Sequence, residues 1–361
     1  MNGENKVINF TRGVPPTEAF PTKQLQECAV AVLENHSSTV LQYHPAAGYL
    51  PLREWLGEKY DVSPDHILLS NGSLQLQIFT ASILAKTGDN VLVEKPTYDR
   101  AITAFRKHGL KVHGVPLDND GINLGALEEI VNQKKPKFFY IIPDFQNPTG
   151  ITTSKRKRKK LLELAESHDF WILEDNPYKE LRYSGEEIPS IFSMGSEKVL
   201  FFSSFSKVLS PGIRVGYLIG PKSILAEITK YAEDTYITPN MISQGMVHEY
   251  CQRGWLEPNI KRLKDLYHPR LKTMLAALDE HLPSVKRYSP EGGFFVGVEL
   301  PAGIDSQALR SKALDSGIRL SDGRGFYSDK AGEAFLRLPF CALSTQEIEE
   351  GIKRLSFLMD L

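Results

Sequence analysis

Residues 199–220 read VLFFSSFSKVLSPGIRVGYLIG. Val199 to Phe202 is an apolar run of strand length. Serines follow, and then one lysine, Lys207. The pair Pro211-Gly212 and an arginine, Arg214, lead into a second apolar run. The connection between the two runs is too short for a parallel crossover, so the second strand is predicted to return antiparallel to the first. An ammonium at the mouth of a buried strand is costly unless it is paired or neutralised. Lys207 therefore needs a chemical reason for being there.

Outward from this stretch, β-rich runs alternate with helical patterns from about residue 60. They are HILLSNG, NVLVEKP, KVHGVPL, KFFYIIPDF and FWILEDNPY, followed by the two runs already quoted. Between most of them lie amphipathic stretches such as SLQLQIFTASILAKTG. Nearly all-apolar strands separated by helices predict an α/β fold with a mostly parallel seven-stranded sheet covered on both faces. After a long helical region the texture changes. GGFFVGVEL, GIRLSDG and AFLRLPF read as strands interleaved with helices, which predicts a smaller α+β domain. No Gly/Ser linker, internal repeat or low-complexity tract separates the parts.

The composition is that of an ordinary globular chain: 361 residues, 24% charged, 41% hydrophobic, formal net charge -1. A near-zero charge argues against a nucleic-acid partner. The opening MNGENKVINFTRG has no apolar core of signal-peptide length. No run reaches the ~18 apolar residues of a membrane span. Cys28, Cys251 and Cys341 are too scattered for a disulfide framework or a metal site. A cytoplasmic setting is expected. The basic run SKRKRKK reads as a solvated face at the start of a helix capped by Ser154.

Ligands of open α/β sheets sit outside the carboxyl ends of the strands. This chain places Gly72, Ser73 and Leu74 at one such end, where a helix begins. Free helix-start N–H groups and a hydroxyl make an anion site, although a plain Gly-Ser helix start has the same appearance. Tyr98 follows the next strand, placed to stack on a flat ligand or simply to pack. Asn147 follows the fourth strand in QNPTG, and Asp175 and Tyr178 follow the fifth in EDNPY. Lys207 and Arg214 complete the set. Together these groups fit pyridoxal 5′-phosphate. Ser73, the helix amides and Arg214 would take the phosphate, and Tyr98 would take the ring face. Asp175 would take the ring nitrogen, Tyr178 and Asn147 the ring hydroxyl, and Lys207 the aldehyde as a Schiff base. Burial and the nearby Arg214 would depress the lysine's pKa.

The ordered set QYHPAAGYLPLRE, NGSLQ, EKPTY, QNPTG, EDNPY, SSFSKVLSPGIRVGY and FLRLPF resembles the fold-type I, class I/II aminotransferases over nearly the whole chain. The likeness is strongest to the subgroup of 2-aminoadipate and kynurenine aminotransferases and the catalytic-like domains of MocR regulators. The resemblance implies a fold-type I transferase, with an N-terminal segment (1–40) packing on the small domain. A large cofactor domain (41–250) and a C-terminal small domain (251–361) would follow. It further implies that Arg337 grips the substrate α-carboxylate and that Ser204 joins the phosphate site. Tyr43 would cross a homodimer interface to the partner subunit's cofactor phosphate. Arg12 and Arg324 depart from the usual pattern in loops near the substrate. Arg12 would select an acidic side chain, unless it forms only a surface ion pair.

The expected activity is transfer of an amino group between an L-amino acid and a 2-oxo acid, with 2-oxoglutarate as acceptor. Lys207 would act as general base at Cα. A lyase, decarboxylase or racemase would use the same residues. A regulatory domain that only senses the cofactor remains the alternative of a different class.

Overall fold

All seven apolar runs become strands of one sheet in the computed structural model, which describes residues 7–329 and 331–359. The first six residues of the expected N-terminal segment and the last two of the expected small domain lie outside that range. The order across the sheet is Ile67–Ser70, Gly216–Ile219, Val199–Ser204, Trp171–Asp175, Phe138–Ile141, Asn90–Lys95, Lys111–Asp118 and Gly121–Ile122. Gly216–Ile219 runs antiparallel to both neighbours, as its short connection requires. The last strand is an eighth, hairpinned antiparallel onto Lys111–Asp118. Its two residues are too few to carry a period in the sequence.

Alternation along the strands divides the core into two layers. Leu92, Phe139, Ile141, Ile172 and Val199 face Leu127, Val131, Leu161 and Leu164 of the helices Leu124–Lys134 and Lys155–Ser167. Val91, Val93, Phe138, Tyr140, Leu173 and Phe202 belong to the larger core on the opposite face. Both faces are buried, so the strands carry almost no polar alternation. Asn90–Lys95 pairs with Lys111–Asp118 on one edge and with the later Phe138–Ile141 on the other. The strand order reverses there, and such reversals open the ligand crevice of an α/β sheet.

The basic run is only partly the solvated face expected of it. Ser154 Oγ does accept from the Lys157 N–H at 3.4 Å at the start of the helix Lys155–Ser167. Lys157 and Arg158, however, are buried. Lys157 pairs with Asp118 and Asp120, each at 2.6 Å. Arg158 pairs with Asp144 at 2.7 Å and donates to the carbonyls of Pro143 and Thr153. Burial of a cation depends on partners that the fold brings from other elements, which a charge run alone does not reveal. Arg158 thereby ties the helix to the loop that carries Asn147.

The C-terminal part holds an antiparallel sheet of Lys286–Arg287, Phe295–Glu299 and Phe335–Pro339. The helices Leu256–His281 and Thr345–Leu358 pack against one another beside it. Ile8–Phe10 pairs in parallel with Ile318–Leu320, with Phe10 opposite Leu320. The chain that follows, Thr11 to Val14, therefore crosses directly to the mouth of the main crevice. Among the described residues, no helix is long and apolar enough to cross a membrane.

Candidate active site

A cavity of about 880 Å³ lies outside the carboxyl ends of the parallel strands. Ser73, Leu74, Tyr98, Asn147, Asp175, Tyr178, Ser204, Lys207, Arg214, Arg337 and Arg12 all line it. These residues come from seven separate stretches of sequence, most of them brought together at the strand ends.

At one end, the helix Ser73–Leu84 starts without a side-chain cap, so its first N–H groups are open to an anion. Gly72 makes the turn with φ of +101°, and a Cβ there would stand 2.1 Å from Arg214 Nη2. Gly216 admits the same approach from the other side, since its Cβ would lie 2.3 Å from the Ser73 nitrogen. Arg214 adopts φ of +52° after the turn Pro211–Ile213 and donates to the Asn71 carbonyl at 3.0 Å. Ser204 Oγ accepts from the Ser206 N–H at 3.0 Å and lies 2.7 Å from Ser206 Oγ. Ser206 also lines the cavity and was missed in the sequence; its hydroxyl beside Lys207 in SFSK was the available signal. A cation, a helix start and hydroxyls make this end suited to an anion.

In the middle, Asp175 closes the strand Trp171–Asp175 and is only 4% exposed. Its Oδ2 accepts from the Tyr140 hydroxyl at 2.6 Å, whereas its Oδ1 is buried with no partner. Burial pushes its pKa up to about 6, against the hydrogen bond from Tyr140 and the charge of Lys207. An unsatisfied buried acceptor costs about 1–3 kcal/mol, and Oδ1, in the cavity lining, is open to a donor that binds there. Asn147 Oδ1 accepts from Arg337 Nη1 at 3.0 Å, which leaves its amide NH₂ for a ligand. Burial holds the Tyr178 phenol protonated, with its pKa well above the usual range.

Lys207 Nζ stands 5.7 Å from the ring centroids of both Tyr178 and Phe294 and donates to the Gly13 carbonyl at 3.4 Å. Burial lowers its pKa, with Arg337 and Arg214 acting in the same direction and Cys341 and Asp175 opposing. Arg337 reaches the cavity from the strand Phe335–Pro339. Its guanidinium lies 4.7 Å from the centroids of both Phe295 and Phe326 and donates to the Thr11 carbonyl at 2.8 Å. Its Nε–H is buried and unpartnered. A fixed fork with an open donor suits a carboxylate.

Other expected residues fall outside this set or behave differently. Tyr43 is 71% exposed and does not line the cavity formed by its own chain. Arg324 is held by Asp305 and by Asp322, so it is not a free cation. Arg12 lines the cavity and is exposed, with no partner among the described residues; Arg100 and Arg310, which were not singled out in the sequence, do the same. Among the described residues no cluster of His, Cys, Asp and Glu has the makings of a metal site. The three cysteines are free and buried.

The residues present fit pyridoxal phosphate: an anion cradle, a buried carboxylate oxygen lacking a donor, and a lysine held toward its neutral form. Comparison with known proteins agrees. The model of the family described as aminotransferase class I and II matches residues 5–355. Aromatic-amino-acid aminotransferase 1 of Thermococcus litoralis is 38% identical over 97% of this chain and 87% of its own. The 2-aminoadipate transaminase of Thermus thermophilus is 35% identical over 97% and 89%. A kynurenine aminotransferase of Pyrococcus horikoshii, solved with pyridoxamine phosphate (PMP), superposes with a TM-score of 0.95 at 36% identity, covering 98% of this chain and 91% of that one. The chain belongs to the class I and II aminotransferases, enzymes that work with pyridoxal phosphate.

Proposed function

We propose that this aminotransferase exchanges an amino group between an L-amino acid and 2-oxoglutarate, as a homodimer with shared sites. The observation that carries this reading is a pair of buried, unpartnered polar atoms in one cavity, Asp175 Oδ1 and Arg337 Nε, with Lys207 lining the same cavity. One is an acceptor and the other a donor, which suits a protonated ring nitrogen and a substrate carboxylate.

When bound, pyridoxal phosphate supplies an aldehyde carbon that takes the amino nitrogen and a ring that withdraws electrons. Ser73, Leu74, Ser204 and Arg214 hold the phosphate, and Gly72 lets Arg214 close on it. Tyr98 covers the ring, Tyr178 and Asn147 hold its hydroxyl, and Asp175 keeps its nitrogen protonated. Lys207 carries the cofactor at rest. In turnover its neutral Nζ would take the proton from the substrate Cα and deliver it to the carbon that carried the aldehyde, the shift that amino transfer requires. Arg337 binds the α-carboxylate and so fixes which Cα bond is presented for cleavage.

An acidic co-substrate is supported by charge. Arg337 answers the α-carboxylate, and Arg12, Arg100 and Arg310 leave further positive charge along the same cavity. The Thermus relative is named for an acidic substrate, 2-aminoadipate. The dimer is supported by Leu41, Tyr43 and Leu50, apolar side chains exposed close together in sequence. Within the division into segments 1–40, 41–250 and 251–361, the packing of the first on the third is supported by the pairing of Ile8–Phe10 with Ile318–Leu320. The free thiols fit a reducing, cytoplasmic setting.

The test is a panel of acidic and neutral L-amino acids against the holoenzyme. Substrate amino acids should bleach the cofactor's visible band, and 2-oxoglutarate should restore it. Release of carbon dioxide or racemisation, without that cycle, would overturn the reading in favour of a lyase or racemase.

A further inference from the structure

We propose that Tyr140 is a positioning residue: its hydroxyl occupies Asp175 Oδ2 and so leaves Oδ1 as the oxygen that meets the cofactor's ring nitrogen. The inference rests on the role proposed above for Asp175.

The sheet register produces the contact. Tyr140 in Phe138–Ile141 stands opposite Leu173 in the neighbouring strand Trp171–Asp175. Asp175 is two residues further along, so it emerges on the same face as Leu173 and Tyr140. A tyrosine side chain is long enough to reach a diagonal neighbour of this kind on the next strand. The outcome is an O–H···O contact of 2.6 Å between two residues 35 apart in sequence.

The direction of that hydrogen bond is fixed. Tyr140 is fully buried, and burial together with the Asp175 charge holds its phenol protonated. Its one proton therefore goes to the carboxylate. The ring cannot swing away, because it packs edge-on to Phe105 with centroids 5.8 Å apart. A carboxylate with two equivalent free oxygens has no preferred rotation, whereas this one is pinned at one oxygen. A core position needs no hydroxyl for packing, since phenylalanine fills nearly the same volume. The polar atom is spent on Asp175, at a length typical of strong charge-assisted bonds.

Two consequences distinguish this from a merely structural hydrogen bond. Without the hydroxyl, the carboxylate loses both its orientation and the donor that favours its ionised form. The ring nitrogen of the bound cofactor should then be less fully protonated. The rate of proton removal at the substrate Cα should fall, while substrate affinity, set by Arg337, should not.

The experiment uses holoenzyme reconstituted with pyridoxal phosphate labelled with ¹⁵N in the ring, at pH 8. The ring-nitrogen chemical shift is read in wild type, Tyr140→Phe and Asp175→Asn. Half-reaction rates, KM and melting temperature are read alongside. A further variant carries 4-aminophenylalanine at 140, which restores a donor in the same place. The expected result is a protonated nitrogen in wild type, an unprotonated one in Asp175→Asn, and a partial shift toward unprotonated in Tyr140→Phe. The half-reaction rate of Tyr140→Phe should fall about ten- to a hundredfold with little change in KM. The 4-aminophenylalanine variant should recover part of both. If Tyr140→Phe melts lower but keeps the wild-type nitrogen signal and rate, Tyr140 is structural and the proposal fails. If Tyr140→Phe does not fold, an unprotonated nitrogen in the 4-aminophenylalanine holoenzyme, which keeps the donor, contradicts the proposal. If Asp175→Asn leaves the nitrogen protonated, it is the Asp175 reading that fails instead.

Discussion

Arg337 donates to the backbone carbonyl of Thr11 at 2.8 Å, and two residues on the Gly13 carbonyl accepts from Lys207 at 3.4 Å. The strap between Phe10 and Val14 is thus fastened to both groups proposed to handle the substrate's α-carbon. Arg12 sits between the two fastened residues, lines the cavity and has no partner among the described residues.

Arg12 is therefore expected to read the far end of an acidic substrate. An exposed ion pair would be worth only about 0–1 kcal/mol. A hydrogen bond to a charged substrate group is worth roughly 1.5–3 kcal/mol, or about ten- to a hundredfold in kcat/KM. Arg12→Ala should show that loss with a dicarboxylic donor and little change with a neutral one. The comparison is kcat/KM for glutamate and for phenylalanine in both proteins. Equal small changes would remove Arg12 from substrate selection.

Glu94 sets a pH dependence of stability outside the reaction itself. It is buried, accepts from the Ile142 N–H at 2.9 Å and from Gln146 at 3.2 Å, and burial pushes its pKa up to about 8 from 4.5. The folded protein thus holds a proton that the unfolded chain releases. The contribution is full below about pH 4.5 and is lost as pH rises through about 8. Glu94→Gln keeps an acceptor and removes the titration. Melting temperatures of the apoprotein from pH 6 to 9 should diverge in the variant's favour, by a few degrees at the alkaline end. Parallel curves would show that Glu94 does not titrate in this range.

Tyr43 should serve the partner's site. Chains carrying Lys207→Ala and chains carrying Tyr43→Ala should each be impaired alone. After subunit exchange, a hybrid dimer would contain one site with both residues intact. Mixing should restore activity above that of either parent. Verified exchange without recovery would place Tyr43 in its own chain's site or in none.

Much of the site was legible because its residues stand at strand ends. Asp175, Asn147 and Lys207 each close or follow an apolar run, a local signal that needs no knowledge of packing. Arg337 and Tyr43 carried no such signal and came only from resemblance to a family. Tyr140 was hidden because its partner lies on the next strand, and register is not written in either strand alone. Phe295 and Phe326, which sandwich Arg337, were hidden for a similar reason: they lie in different elements. Lys157 and Arg158 were misread because a buried cation and a solvated one look identical in a charge run. Their carboxylates, Asp118, Asp120 and Asp144, are contributed by other elements.

The central claim is that Lys207 is the lysine that carries the cofactor. Borohydride reduction of the holoenzyme, followed by peptide mapping, tests it most directly. The account predicts a phosphopyridoxyl label on the peptide containing SFSKVLSPG, at Lys207. Lys207→Ala should retain cofactor by its phosphate yet yield no reduced adduct. A label on another lysine, such as Lys95 at the end of the strand Asn90–Lys95, would contradict the account.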